Sequence, residues 1–402
     1  MGGEFDWPRL AFRKLAMPAA GARFGDGSVK VGTEEFPAVG GAAATQAVVC
    51  EAVVTSTKNL AVSHAAKPCP LWDHLGARRD TVIMNLGFCF VADRAPHLPP
   101  NCTYQFQVSN GRLWSLPTKS RTALLLTDEG LRAETVEARG WLEFGSRRVT
   151  WVGSHEIDRE GADAEVFGLP NQSLVRTRHG IVARRTLGHV VAGTGEGNVG
   201  LALVNGVLTV AKVTRRPLSV MDYVAVLRGS EKTWRSLSVG ERLTKWQVGR
   251  WADGKLRQAV TVGPRLWPDA AQTQRQLADE RVVMSRRPDG RPYFTSLDTP
   301  KARAALFEDG AGALHLVVVD ARPGVAGQEG ITLTQLAAWV FRHEGVRWAV
   351  TVDGGQSAKL GVVSGGRRRI FGNLHYLNLA KEGAFWDGWR GRPVTTCLLA
   401  PI

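Results

Sequence analysis

Residues 314–320 read LHLVVVD and residues 348–357 read WAVTVDGGQS, and these two stretches decide the predicted fold. Each begins with apolar and β-branched residues and reaches an aspartate, Asp320 in the first stretch and Asp353 in the second. A continuous apolar run is typical of a strand that is covered on both faces. The two stretches therefore predict two buried strands, each followed by a polar loop.

A helix is predicted between these strands, because apolar residues recur there at the spacing of one helix face: Leu333, Leu336, Ala337, Val340 and Phe341. Thr332 and Gln335 have the spacing of a capping box at its start, and Gly345 is the predicted stop. A strand, a helix and a second strand in this order predict a right-handed crossover with parallel strands. The carboxyl ends of both strands should then lie at one edge of the sheet.

The rest of the chain predicts mainly strands. Short β-branched runs indicate strands at residues 81–84, 123–127 and 148–152, and a β-rich meander at 180–213. We interpret residues 264–300, dense in Asp, Arg, Gln and Pro, as a linking segment. The predicted class is α+β, with a mixed sheet, a β-rich meander and a C-terminal strand-helix-strand unit. Residues 1–45, rich in Gly and Ala, predict an irregular lead-in to one domain at 46–402.

Composition limits the partners and the compartment. The 402 residues carry 51 Lys and Arg against 37 Asp and Glu, a net charge of +14, which favours an anionic partner. Basic residues form no long stripe, so nucleic acid is the less favoured anion. No segment has the length and hydropathy of a membrane span. Five cysteines without CxxC spacing predict a cytoplasmic protein, with a trimmed secreted form as the alternative.

Candidate site residues follow from the strand ends. Ligands of such sheets collect where the strands end, which points to Asp320 and Asp353, with Arg322 just beyond the first strand. Gly354 and Gly355 would let backbone amides approach phosphate oxygens, and Ser357 would add a hydroxyl donor. The alternative is a tight Asp-Gly turn in which Asp353 only caps the loop. None of the nine histidines lies in a recognised metal-ligand spacing, so no metal site is predicted and no cofactor is identified.

The order of several short motifs resembles that of the phosphodiester glycosidase family. Residues 350–358 (VTVDGGQSA) resemble its "N-L-D-G-G-G-S-A/T" signature, and the other matches are residues 84–89 (MNLGFC), 262–266 (VGPRL), 300–305 (PKARAA), 319–322 (VDAR) and 391–394 (GRPV). The resemblance spans residues 80–402 and is dense after about residue 300. Gln356, Ala321, Leu86 and Cys89 depart from the family pattern.

This resemblance implies an enzyme that hydrolyses a sugar phosphodiester at the anomeric C–O bond, releasing the sugar and a phosphomonoester. It implies Asp353 and Asp320 as catalytic residues, and it implies substrate binding by Arg303, Arg322, Asn85, Gly354, Gly355 and Ser357. The implied partner is an anionic small-molecule or glycan phosphodiester. Two alternatives stay open: a non-catalytic module that binds anionic glycan or nucleic acid, and a phosphodiesterase that cleaves the P–O bond.

Overall fold

A computed structural model describes the following parts of the chain: residues 23–24, 29–57, 59–87, 106–117, 119–153, 156, 158, 160–167, 198–203, 210–212, 225–230, 241–280, 285–286, 292–293, 299–321, 330–372 and 394–402. Arg322 and the residues that match the 391–393 part of the family motif lie outside these ranges.

Strands dominate these residues. In chain order they are β1 (Arg23–Phe24), β2 (Val29–Phe36), β3 (Thr45–Val54), β4 (Ala61–Cys69), β5 (Thr81–Asn85), β6 (Gln107–Ser109), β7 (Arg112–Ser115), β8 (Arg121–Thr127), β9 (Gly130–Val136), β10 (Arg139–Phe144), β11 (Arg147–Gly153), β12 (Ala164–Phe167), β13 (Asn198–Leu203), β14 (Val210–Lys212), β15 (Ala225–Ser230), β16 (Leu243–Val248), β17 (Trp251–Ala252), β18 (Gln258–Thr261), β19 (Arg265–Leu266), β20 (Ser285–Arg286), β21 (Pro292–Tyr293), β22 (Arg303–Glu308), β23 (Leu314–Val319), β24 (Trp348–Thr351), β25 (Lys359–Ser364), β26 (Arg367–Gly372) and β27 (Val394–Pro401). The α-helices of the described residues are α1 (Ala270–Asp279) and α2 (Leu333–Val340).

Four sheets organise these strands, beside a small β20–β21 hairpin. We name them the central sheet (β1-β2-β3-β23-β22-β24-β19), the back sheet (β26-β25-β5-β27-β4), the bridging sheet (β7-β6-β18-β8-β9) and the outer sheet (β14-β13-β15-β12-β11-β10-β16-β17). Neighbouring strands of the central sheet are antiparallel throughout. Within the described residues the parallel pair is β11 with β12, in the outer sheet.

The predicted α+β class with a mixed sheet is therefore wrong. The protein is strand-dominated and built from several antiparallel sheets. The physical reason is β22, which pairs with β23 on one side and β24 on the other, antiparallel to both. The strands at the two ends of the crossover do point in the same direction, but they are not hydrogen-bonded neighbours.

Two hydrophobic cores explain why the central strands read as continuous apolar runs. Leu316 and Val318 on β23 pack in a core shared with Val82 and Met84 of β5, so the back sheet covers this face. The other face packs on the helices, where Val317 joins a core with residues of α1 and α2. An antiparallel strand covered on both faces carries the same apolar pattern as a buried parallel strand, which is why the pattern misled the prediction of class.

Local predictions hold better than the class. The strands at 81–84, 123–127, 148–152 and 314–319 are confirmed as β5, β8, β11 and β23. The capping box is confirmed, with Gln335 N donating to Thr332 Oγ1 and Thr332 N donating to Gln335 Oε1, both at 3.0 Å. The helix, however, ends at Val340 and not at Gly345, which lies in the following turn with φ of 64°.

The interpretation of residues 264–300 as a linking segment is wrong for its described part. It contains β19 and α1, whose N-terminus is capped by the Asp269 carboxylate accepting from Ala271 N at 2.9 Å. Likewise, residues 29–36, inside the segment that was expected to be irregular, form β2 of the central sheet. In the described ranges no helix is both long and apolar enough to cross a membrane.

Candidate active site at one edge of the central sheet

The three central strands bring two aspartates and one arginine to the same edge of the sheet. Arg303 opens β22 and pairs in register with Val319, the last residue of β23. Asp320 follows Val319 directly, and Asp353 comes two residues after the end of β24. Because β23 and β24 run in the same direction on the two sides of β22, both aspartates lie at the edge where β22 begins.

Asp353 is positioned through its backbone. Its N–H donates to Leu86 O at 2.9 Å, and its carbonyl accepts from Asn85 Nδ2 at 2.7 Å. Asn85 Oδ1 in turn accepts from Lys359 N at 2.9 Å. Asn85 is 1% exposed, so this amide is a buried bridge between the two ends of the loop at residues 353–359. The half-buried Asp353 is thereby held at the edge by hydrogen bonds of its backbone N–H and carbonyl.

The two glycines after Asp353 meet different physical requirements. A Cβ at Gly354 would lie 2.9 Å from Ala302 O, so the loop passes too close to the residue just before β22 for any side chain. Gly355 has φ of 60°, the left-handed region that favours glycine, and its N–H donates to Ala302 O at 2.7 Å. The Gly355 amide, expected to approach phosphate, therefore ties the loop to the residue just before β22. Ser357 ends the short 3-10 turn Gly355–Ser357 and is buried.

Arg303 is buried beneath this loop at 6% exposure. Its Nε donates to Ile331 O at 3.0 Å, and its Nη2 donates to Thr299 O. A Cβ at Gly354 would lie 3.8 Å from Arg303 Cδ, which places the arginine side chain directly against the Asp-Gly-Gly loop. The guanidinium is thus outside bulk solvent and oriented by backbone carbonyls.

A second cation, missed in the sequence analysis, lies beside Arg303. Lys301 forms a bridge with Ile331 through backbone hydrogen bonds of 3.0 and 3.1 Å. Burial, and then the charge of Arg303, lower the pKa of Lys301. The sequence did contain a signal for Lys301. Basic residues stand at positions 301 and 303 of one extended segment, and side chains two residues apart in such a segment share a face. The edge therefore carries two cations, Lys301 and Arg303, beside the two aspartates.

Asp320 has a different environment from Asp353. It is 5% exposed, its N–H donates to Val48 O at 2.9 Å, and its Oδ1 accepts from Ala321 N at 2.8 Å. Burial, reinforced by the nearby Asp320 charge, raises the pKa of the Cys50 thiol. Asp320 is thus the enclosed carboxylate of the edge and Asp353 the accessible one.

Comparisons with known proteins bear on both fold and family. The sequence profile of the family described as phosphodiester glycosidase matches residues 179–400, more than half of the chain. No curated protein sequence matches significantly.

Three solved structures are among those that are similar to the chain. The first, a hypothetical protein from Synechocystis, has a TM-score of 0.53 and 14% identity over 93% of this chain and 62% of its own, so this chain spans less than two thirds of that protein. A candidate exported protein from Burkholderia pseudomallei has a TM-score of 0.51 and 19% identity over 90% of this chain and 75% of its own. The catalytic domain of zebrafish N-acetylglucosamine-1-phosphodiester alpha-N-acetylglucosaminidase has a TM-score of 0.40 and 12% identity over 93% and 83%.

The first two structures share the fold with this chain, while membership of a family rests on the sequence profile. That match includes β22, β23, β24 and the loop that carries Asp353. The chain therefore belongs to the phosphodiester glycosidase family.

Proposed function

We propose that this protein hydrolyses a sugar 1-phosphodiester at the bond between the anomeric carbon and the phosphate oxygen. Water adds its oxygen to the anomeric carbon, the C–O bond breaks, and the bonding electrons leave with the phosphomonoester. The observation that supports the proposal is the strand register, in which Asp353, Asp320 and Arg303 occupy positions at the edge where β22 begins.

Arg303 and Lys301 supply the charge that this reaction needs. A phosphodiester is an anion, and its departing phosphate gains a further negative charge as the C–O bond breaks. Preorganised cations stabilise such developing charge without reorganising at the moment of reaction. Arg303 is held by Thr299 O and Ile331 O, so its guanidinium is fixed before substrate arrives. Arg322, the second proposed phosphate-binding arginine, lies outside the described residues.

Asp353 is proposed as the carboxylate that faces the sugar. Its carboxylate would activate water or stabilise an oxocarbenium-like transition state, the two tasks that carboxylates perform in glycoside hydrolysis. Asp320 is proposed to have the secondary role, because its carboxylate is buried. It would keep a negative charge behind the sugar site. Phosphate is a better leaving group than an alcohol, so a strong general acid is not required. Ser357 and Asn85 are proposed to support the substrate-binding loop.

Hydrolysis in ¹⁸O-labelled water tests the proposal with a synthetic N-acetylhexosamine 1-phosphodiester. A phosphomonoester without label is the expected result, because water then attacks carbon and its oxygen leaves with the sugar. The phosphate is the product to analyse, since the anomeric hydroxyl of a free sugar exchanges its oxygen with water. Label in the phosphate would identify a phosphodiesterase and overturn the proposed bond. Saturable binding without turnover would identify a non-catalytic binding module. Asp353→Asn, assayed alongside, distinguishes turnover at this site from a contaminating hydrolase.

A further inference from the structure

A second cluster of ionisable side chains lies far from the candidate active site. It consists of Glu51 on β3, His315 on β23 and His343, which follows α2. His315 is near the amino end of β23 and Asp320 follows its carboxyl end, so about five residues of strand, roughly 17 Å, separate the two places. The phosphodiester chemistry proposed above does not use this cluster.

Three potential ligand atoms converge there. Glu51 Oε1 is 2.7 Å from His315 Nδ1 and 3.7 Å from His343 Nε2, and all three atoms lie within 4.8 Å of one another. Four-coordinate zinc with bonds of about 2.0–2.1 Å holds its ligand atoms about 3.3 Å apart. Small side-chain adjustments would therefore bring the three atoms to coordination distance from one ion.

The outer nitrogen of each histidine is already held by an oxygen. His315 Nε2 donates to Asp309 Oδ2 at 3.1 Å, and His343 Nδ1 donates to Val340 O at 3.0 Å. A backbone carbonyl only accepts, so the neutral His343 carries its proton on Nδ1 and turns the Nε2 lone pair toward Glu51. In metal-binding histidines, a hydrogen bond from the ring nitrogen that does not bind the metal fixes the tautomer and the ring orientation.

Aromatic packing restricts the rings further. Phe307 stacks on His315 with centroids 4.3 Å apart and an interplanar angle of 13°. Trp339 meets His343 edge-on at 4.9 Å. The side chains of Glu51 and His343 keep 15% and 28% exposure, so an ion can reach the cluster from solvent. The donors are therefore preorganised and accessible.

Without a cation, the same atoms form an ion-pair network. Burial lowers the pKa of His315, but hydrogen bonds to Glu51 and Asp309 outweigh it and raise the pKa above its ordinary value. Lys30 is the cross-strand partner of Glu51, and its nearby positive charge opposes the binding of a cation. A metal ion must displace the His315 proton from Nδ1, so binding releases a proton and weakens at lower pH.

We propose that Glu51, His315 and His343 bind one divalent transition-metal ion of the Zn²⁺ class, with Asp309 and Val340 O orienting the two imidazoles. Two imidazole nitrogens and one carboxylate oxygen form a donor set that suits Zn²⁺, whereas Mg²⁺ prefers oxygen ligands. A fourth position would be taken by water.

Competition with a chromophoric chelator tests this site on the full chain after removal of bound metal. One Zn²⁺ per chain is expected, with at least tenfold weaker binding in Glu51→Gln and in His343→Gln. Asp309→Asn keeps all three ligands and should weaken binding about tenfold by releasing the His315 ring. Glu35→Gln, the same substitution at an exposed position of β2, should bind like the wild type.

Co²⁺ provides the geometric readout, because a four-coordinate site gives intense visible absorption. Its loss in His343→Gln, with unchanged far-ultraviolet circular dichroism, is expected. Zn²⁺ binding that survives both ligand substitutions, wild-type binding no tighter than that of Glu51→Gln, or equal affinity for Mg²⁺ would each overturn the proposal.

Discussion

The buried side-chain amide of Asn85 joins Asp353 O and Lys359 N, two backbone groups at opposite ends of the candidate catalytic loop. One hydrogen bond is 2.7 Å and the other 2.9 Å. The position of the Asp353 carboxylate therefore depends on a residue of β5, more than 250 positions earlier in the chain.

Asn85→Asp should destabilise this loop. The substitution keeps the shape but places an anionic oxygen where Nδ2 donates to Asp353 O, so repulsion from that carbonyl replaces the hydrogen bond in a side chain that is 1% exposed. A cost of about 1–3 kcal/mol in the free energy of unfolding is expected, with a lower kcat. Urea denaturation and steady-state kinetics measure the two effects. Asn110→Asp, at an exposed turn, is the matched control; equal effects of both substitutions would contradict the bridging role.

Gly354→Ala should impair turnover more than Gly355→Ala. A Cβ at Gly354 meets Ala302 O at 2.9 Å, so the loop must move and carry Asp353 with it. At Gly355 the described residues leave the Cβ open space, and the cost is the left-handed φ, about 1 kcal/mol. Gly76→Ala has the same φ class and the same open space, which makes it the control for stability. Comparable kcat in Gly354→Ala and wild type would disprove the tight approach.

Local patterns in the sequence predicted several strands of the central sheet but not the order in which those strands pair. The apolar run of β23 and the Thr332 capping box each depend on residues within a few positions, so they could be predicted directly. β22 lies between β23 and β24 because of tertiary contacts, and the local sequences of β23 and β24 do not indicate this position. The sequence therefore predicted parallel strands, whereas the fully covered sheet is antiparallel.

The candidate site likewise combines features that local sequence patterns indicate with features that depend on tertiary contacts. The aspartates could be found because each follows a buried strand, and Arg303 could be found from the motif at residues 300–305. The carbonyl groups of Thr299 and Ile331 that orient Arg303, and the Asn85 bridge, arise from contacts across turns and sheets. The Glu51, His315 and His343 cluster likewise joins positions far apart in sequence, so no motif spacing indicates it.

Arg303→Lys should raise KM more than it lowers kcat. Lysine retains the positive charge but cannot donate to Thr299 O and Ile331 O while also presenting a planar fork to phosphate. Because phosphate is bound in both the ground state and the transition state, substrate affinity should fall as well as turnover. Steady-state kinetics on the sugar phosphodiester measure this, with Arg132→Lys at an exposed ion pair as the control. An unchanged KM would remove Arg303 from phosphate binding.

Acidification should destabilise the protein through His74. Burial, with a further contribution from the Lys359 charge, lowers the pKa of His74, and Nε2 lies 3.0 Å from Val394 O. The unfolded chain therefore takes up this proton more readily than the folded protein. The stability is fully present above the unfolded pKa of about 6.5 and is lost as pH falls toward the folded pKa. Urea midpoints from pH 7.5 to 5 should fall more steeply in wild type than in His74→Gln; parallel curves would contradict the assignment.

Asp353→Asn should abolish most turnover while leaving fold and affinity nearly intact. The loop is held through Asp353 N and Asp353 O, which the substitution keeps, and side-chain volume is unchanged. Loss of a carboxylate that acts in the transition state should lower kcat by about 10²–10⁴-fold with little change in KM. Asp320→Ala is the informative comparison, because the Asp320 carboxylate is buried and accepts from Ala321 N, a hydrogen bond that alanine cannot make, so unfolding free energy should fall together with kcat. Single-turnover kinetics and urea denaturation on both variants separate the roles. Normal turnover by Asp353→Asn would show that Asp353 only shapes the Gly354–Gly355 turn.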